Sequence, residues 1–170
     1  MTLRRLIFLP LVCALFAGCA GYKLGPSNGT AAREKSVQVV PFTNRTLEPR
    51  LGDAVTAALR KQVARDGTFR LATREAGDVV VTGAVTEYRR VELSLDPKDV
   101  LTPRDFRVKM TVQVTATERA TGRVLFEKPV AGYTLVRAGS DLVSAERQAL
   151  PVLAEDVAKI VVGQLADGSW

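Results

Sequence analysis

From Phe106 to Thr117 the chain alternates without a break. Phe106, Val108, Met110, Val112, Val114 and Ala116 are apolar, and Arg107, Lys109, Thr111, Gln113, Thr115 and Thr117 between them are polar. Side chains of an extended strand point to opposite faces in turn, so this period-two pattern makes a strand with one face on a core and the other turned to water or a partner. A helix would spread the same residues around its circumference. The fold must therefore contain a sheet with one apolar face, and the rest of the chain has to cover it.

Two segments can provide that cover. Between about Leu47 and Arg65, Leu51, Val55, Leu59 and Val63 recur every four residues, with Ala54, Ala57 and Ala58 beside them and Arg60, Lys61 and Arg65 elsewhere. This is the stripe of an amphipathic helix. Pro49 suits its first turn, where a missing amide hydrogen is no loss, and Gly67 stands just past its end. A second helix is expected from Asp141 to Leu165. It carries Leu150, Leu153, Val157, Ile160 or Val161, and Leu165 on one face, and Pro151 should kink or divide it.

The shorter strands follow from β-branched runs. Ser36 to Phe42, Phe69 to Ala72 and Asp78 to Val91 read as strands, with Asn44-Arg45-Thr46 as a turn. Residues 92–105 hold Pro97, Pro103, Asp96, Asp99 and Asp105, which predicts a long loop. After the turn Ala120-Thr121-Gly122-Arg123, Val124 and Phe126 share one parity and Ala131, Tyr133 and Leu135 the other. Pro129 stands at the change, which predicts a bulge or an edge strand. The sum is an α+β two-layer sandwich, two amphipathic helices packed on one face of a roughly four-stranded mixed sheet, in one domain over residues 36–170.

The first residues address the compartment. Arg4 and Arg5 precede an apolar run from Leu6 to Ala17, interrupted only by Pro10. About a dozen apolar residues suit a signal peptide and fall short of the roughly 20 that a helix needs to cross a bilayer. The run ends in Leu15-Phe16-Ala17-Gly18-Cys19, which resembles a lipobox, with Phe16 where Leu is usual. That resemblance implies removal of residues 1–18, lipidation of Cys19 and a permanent lipid anchor, because several acyl chains on one residue hold where a single chain does not. Ordinary secretory cleavage near Ala17 or Ala20 is the alternative. The only other cysteine, Cys13, lies in the segment to be removed, so no disulfide is expected. Ala20 is not the Asp that marks inner-membrane retention, which favours the periplasmic side of the outer membrane. Residues 19–35, rich in Gly and small polar side chains, read as a tether.

Composition narrows the chemistry. The chain has no histidine, which takes away the commonest general base and metal ligand at neutral pH. No Ser-x-x-Lys element is present, and the paired carboxylates Glu155-Asp156 and Asp96 with Asp99 read as solvated rather than catalytic. Neither enzyme activity nor a cofactor is expected. Lys plus Arg number 24 against 18 Asp plus Glu; removing Arg4 and Arg5 leaves 22 against 18, a mild positive excess. Such an excess can favour anionic partners or serve solubility alone. A nucleic-acid partner is not expected, because no recognised binding module appears.

Four blocks together resemble one family. They are Cys19-Ala20-Gly21-Tyr22-Lys23-Leu24; Val37-Gln38-Val39-Val40-Pro41-Phe42 running into Thr43-Asn44-Arg45-Thr46; Ala76-Gly77-Asp78-Val79-Val80-Val81-Thr82-Gly83; and Ala145-Glu146-Arg147-Gln148-Ala149-Leu150-Pro151 through Asp156-Val157-Ala158. In this order they are similar to the LptE family of lipopolysaccharide-assembly outer-membrane lipoproteins. The resemblance implies a non-enzymatic plug in the lumen of the LptD β-barrel, which helps that barrel assemble and assists delivery of lipopolysaccharide to the outer leaflet. The Val-x-Val-x-Pro-Phe strand also occurs in periplasmic lipoproteins that activate a cell-wall synthase or serve curli secretion, and that regulatory or secretion role is the alternative.

Contacts to lipopolysaccharide phosphates or to the partner would fall to basic side chains, which make charge-assisted bonds. The candidates are Arg89 and Arg90 at the end of the third strand, Arg104 in the expected loop, and Arg107 and Lys109 on the polar face of the fourth. Each could equally be part of a solvated sheet face.

Overall fold

The computed structural model describes residues 34–96, 99–137 and 142–168. The expected signal segment 1–18, Cys19 and the tether as far as residue 33 lie outside them. In chain order the elements are β1 (Ser36–Val39), β2 (Thr43–Asn44), α1 (Leu51–Asp66), β3 (Arg70–Leu71), β4 (Val79–Asp96), β5 (Asp99–Glu118), β6 (Val124–Arg137) and α2 (Leu142–Ala166). The sheet runs β3-β1-β4-β5-β6, with β2 also paired to β4. β1, β2 and β3 pair in parallel and β4-β5-β6 antiparallel, so the sheet is mixed, as expected. It has six strands rather than about four: the strand expected at Phe69 to Ala72 is the two-residue β3, and Thr43–Asn44, where a turn from Asn44 is expected, pairs with β4 as a further two-residue strand.

Both helices lie on one face. Val108, Met110, Val112 and Val114 of β5 meet Leu51, Val55, Leu59 and Val63 of α1 and Leu153, Val157, Val161 and Leu165 of α2 in one cluster. The alternation of β5 is borne out: these four strand residues are fully buried, and the polar residues between them point the other way. The parallel β1–β4 pair is closed by Asp78, whose carboxylate accepts from both the amide and the hydroxyl of Ser36 at 2.7 Å. α1 is seated by Thr56. Its hydroxyl accepts the Phe42 N–H at 2.9 Å and donates to the Gly52 carbonyl at 2.7 Å.

Several expectations are corrected. α1 begins at Leu51, so Pro49 precedes the helix instead of occupying its first turn; Arg50, at φ 64, turns the chain into it. Gly67, at φ 79, ends it in the left-handed conformation that glycine adopts without penalty. Pro151 does not divide α2, which runs unbroken from Leu142 to Ala166. Pro151 and Arg147, whose carbonyl loses its bond, are both solvent-facing, and the buried row from Leu153 to Leu165 holds the helix on the sheet.

Residues 92–96 and 99–105 are strand and not loop. β4 and β5 extend as a hairpin arm up to the pair Asp96 and Asp99. Register shifts after Glu92, Ser94 and Leu95 absorb Pro103, which stands opposite Leu95 where the ladder is already irregular. On β6 the extra residue is Leu125, between the pairs Ala116–Phe126 and Thr117–Val124, while Pro129 pairs in register with Gln113. The bulge therefore precedes Pro129, and the edge position expected for it is found. Parity does not change there: Val130, Gly132 and Val136 keep the inward phase, which leaves Tyr133 and Leu135 on the outer face, 52% and 70% exposed.

Candidate functional site: the outer face of the β4-β5-β6 sheet

With both helices on the inner face, no element among the described residues covers the outer face of the long strands. Register decides what gathers there. One row across the sheet reads Arg89, Lys109, Tyr133 and the next reads Val91, Arg107, Leu135. Residues in register on neighbouring strands have side chains close enough to interact. The face thus carries three cations interleaved with Val91, Tyr133 and Leu135, large apolar side chains that are all exposed.

Glu87 organises the first row. Its carboxylate takes Lys109 Nζ at 2.9 Å, the Thr111 hydroxyl at 3.0 Å and Arg89 Nη2 at 3.0 Å. The Lys109 bond, followed by the Thr111 bond, holds the Glu87 carboxyl below its ordinary value. One acid thus holds two cations in place and leaves them a net positive charge. Arg107 has no ion pair among the described residues. It is exposed, between Val91 and Leu135.

The five basic candidates separate. Arg89, Arg107 and Lys109 come together on the outer face. Arg90 pairs with the inward-facing Val108 and lies on the helix side, where its guanidinium meets Glu146 of α2 at 2.6 Å and stands 5.6 Å from the Phe106 ring centroid. Consecutive strand residues point to opposite faces, so Arg89 and Arg90 could not share one. Arg104 is half-buried beside Asp105. The Asp105 carboxyl is lowered first by the Ser94 hydroxyl, at 2.6 Å, and then by Arg137, at 2.9 Å.

Sequence reasoning missed Tyr133, Leu135, Val91 and Arg137 as members of this face. The β5 register is the signal that places them, because Leu135 opposite the outward Arg107 has to be outward too. Of the carboxylates set aside as catalytic groups, Glu155 binds Lys61 of α1 at 2.5 Å and Asp156 accepts the Tyr133 N–H at 3.1 Å. Among the described residues no cluster of three or more His, Cys, Asp or Glu could hold a metal ion. Nor is any helix among them long and apolar enough to cross a membrane.

The described elements thus form a helix-backed sheet whose outer face is basic and apolar. Over residues 34–165 the chain matches the LptE lipopolysaccharide-assembly family, and it belongs to that family of generally non-catalytic lipoproteins. No curated protein matches it by sequence. Among solved structures it is similar to a protein of Xanthomonas campestris, at 10% identity and TM-score 0.61, over 86% of this chain and 91% of that one. A putative lipoprotein of Caulobacter crescentus gives 14% identity and TM-score 0.53 over 76% and 89%. A minor lipoprotein of Acinetobacter baumannii gives 14% and 0.51 over 78% and 92%. At these identities the likeness is one of fold.

Proposed function

We propose that this chain is a lipid-anchored, non-enzymatic component of the outer membrane that seats in the lumen of an LptD-like β-barrel, helps that barrel assemble and assists delivery of lipopolysaccharide to the outer leaflet. Residues 1–18 are removed, Cys19 carries the acyl chains, and residues 19–35 tether a single domain on the periplasmic side. The observation that carries the reading is the uncovered outer face. Arg89, Arg107 and Lys109 supply charge for phosphate groups, and Val91, Tyr133 and Leu135 supply apolar surface for acyl chains or a barrel wall. Arg90 and Arg104 serve the arm's own packing and electrostatics instead.

The test is a pull-down from detergent-solubilised membranes with the native signal retained, followed by mass spectrometry of the partners and of the mature amino-terminal peptide. A triacylated Cys19 with a stoichiometric LptD-like barrel is expected. Acylated Cys19 with a cell-wall synthase, or with only further copies of the chain in a ring, would move the assignment to a regulatory or secretion role.

A further inference from the structure

β6 is the long border of the sheet, since β3 at the other border has two residues. Along an antiparallel strand, successive N–H groups point alternately towards the neighbouring strand and away from it. The Tyr133 N–H donates to Asp156 of α2, so Tyr133 points away from β5, and so do Glu127, Pro129, Ala131, Leu135 and Arg137. The turn fixes the same phase from the other side: Glu118 donates its N–H to the Arg123 carbonyl at 2.8 Å, which aims the even-numbered amides of β5 at β6.

Exposed sheet borders are templates for further strands, and proteins blunt them with proline, charge or a covering helix. β6 is blunted over part of its length. Pro129 has no hydrogen to offer, and Asp156 occupies the Tyr133 amide. α2 passes so close that a Cβ on Gly132 would stand 2.8 Å from Val157 Cγ2. Ala131 lies between these two closures. Beyond Tyr133 the protection stops: among the described residues nothing accepts the outward amides of Leu135 and Arg137. Next to this border, Leu93 and Ser94 of β4, Asp105 of β5 and Leu135, Val136 and Arg137 of β6 line an open groove of about 510 Å³ that runs across the sheet and not along its edge.

We propose that the Leu135–Arg137 border of β6 is a strand-addition site. Its occupant is an extended segment of a partner protein, with β-branched side chains and one carboxylate within reach of Arg107. The unmade bonds are backbone N–H and C=O groups in strand register, which another strand matches and a lipid does not. Leu135, 70% exposed, offers an apolar cross-strand neighbour, and the unpaired Arg107 beside it calls for an acid. A second copy of β6 fits less well. It would gather Arg107 and Arg137 of both chains about one short ladder, in a chain that without residues 1–18 still has 22 Lys plus Arg against 18 Asp plus Glu. The site does not depend on the partner being a barrel.

The test is amide hydrogen exchange on the full-length protein, alone and in the complex eluted from outer membranes. Alone, Leu135 and Arg137 should exchange as open-edge amides while Tyr133 is protected. In the complex both should slow by about 100-fold or more. Leu135→Pro removes the outward hydrogen without costing a ladder bond, as Pro129 already does, and should cut the retained partner at least tenfold at an unchanged melting temperature. Leu135→Ala, which keeps the amide and loses only the side-chain contact, should cost the retained partner several-fold less than Leu135→Pro does. Unchanged exchange at both amides in the complex, equal protection by lipopolysaccharide vesicles alone, a dimer of this chain giving the same protection, or elution with no protein partner would each overturn the proposal. The partner's identity bears on the barrel reading and exchange at Leu135 and Arg137 bears on the edge, so a different partner with protected amides separates the two.

Discussion

Thr56 offers a test in which two physical effects have opposite signs. It is 6% exposed, and its hydroxyl accepts the buried Phe42 N–H while donating to Gly52 O. Thr56→Val keeps the shape and adds apolar surface, which by burial alone would stabilise the fold by up to about 0.8 kcal/mol. It also leaves the Phe42 amide without its acceptor, at a cost of about 1–3 kcal/mol. The hydrogen-bond loss should win, leaving a net destabilisation of about 0.5–2.5 kcal/mol. For a domain of this size each kcal/mol moves the melting temperature by roughly 3–5 °C, so thermal unfolding followed by circular dichroism should show a fall of about 2–12 °C. Thr56→Ser, which keeps the hydroxyl and loses one methyl, should also destabilise, with the Phe42 amide still protected from exchange; in Thr56→Val that protection should drop. A Val variant that melts at or above the wild-type temperature would refute the claim that this hydroxyl seats α1 on the strands.

Three further outcomes are expected. Replacing Arg89, Arg107 or Lys109 by Ala should weaken binding to lipopolysaccharide vesicles about two- to fivefold each and flatten its salt dependence, as for exposed ion contacts worth about 0.5–1 kcal/mol; Arg90→Ala should instead loosen the N-terminal half of α2, read as faster amide exchange there, with vesicle binding little changed. Asp78 is held below its ordinary value of 3.8, chiefly by the Ser36 hydroxyl and then by the Ser36 amide. A depressed carboxyl contributes stability that is present above that value and lost as pH falls through the folded one, so the stability gap between wild type and Asp78→Ala should persist at pH 5–7 and close below pH 3.8. The Tyr88 phenol is pushed up to about 12, first by burial and then by Glu146 and Glu48, so its ultraviolet titration should come well above the ordinary 10.0. Because this value is raised, the corresponding stability is present below pH 10 and lost as pH climbs towards 12.

Much of the architecture was legible because it rests on local periodicity. The alternation of β5 fixed which of its residues are buried, and the stripes Leu51-Val55-Leu59-Val63 and Leu153-Val157-Leu165 fixed the helices and their inward faces. The arm was not legible. Pro97, Pro103 and three aspartates are loop composition, and only pairing between two long strands carries the ladder past Pro103 to Asp96 and Asp99. For β6 the apolar residues Ala131, Tyr133 and Leu135 suggested a switch of parity that the register with β5 overrules. Of the five basic candidates, alternation alone could have separated Arg89 from Arg90, since neighbours on one strand face opposite ways.

By itself the sequence determined the class of fold, because a period of two beside periods near 3.6 admits few ways to bury every apolar stripe at once. It also excluded histidine chemistry outright. Tertiary structure alone decided which side chains share the outer face and which β6 amides are left open. Both depend on strand register and on where α2 crosses Gly132, and these are set by contacts between residues far apart in the chain, which no local pattern records.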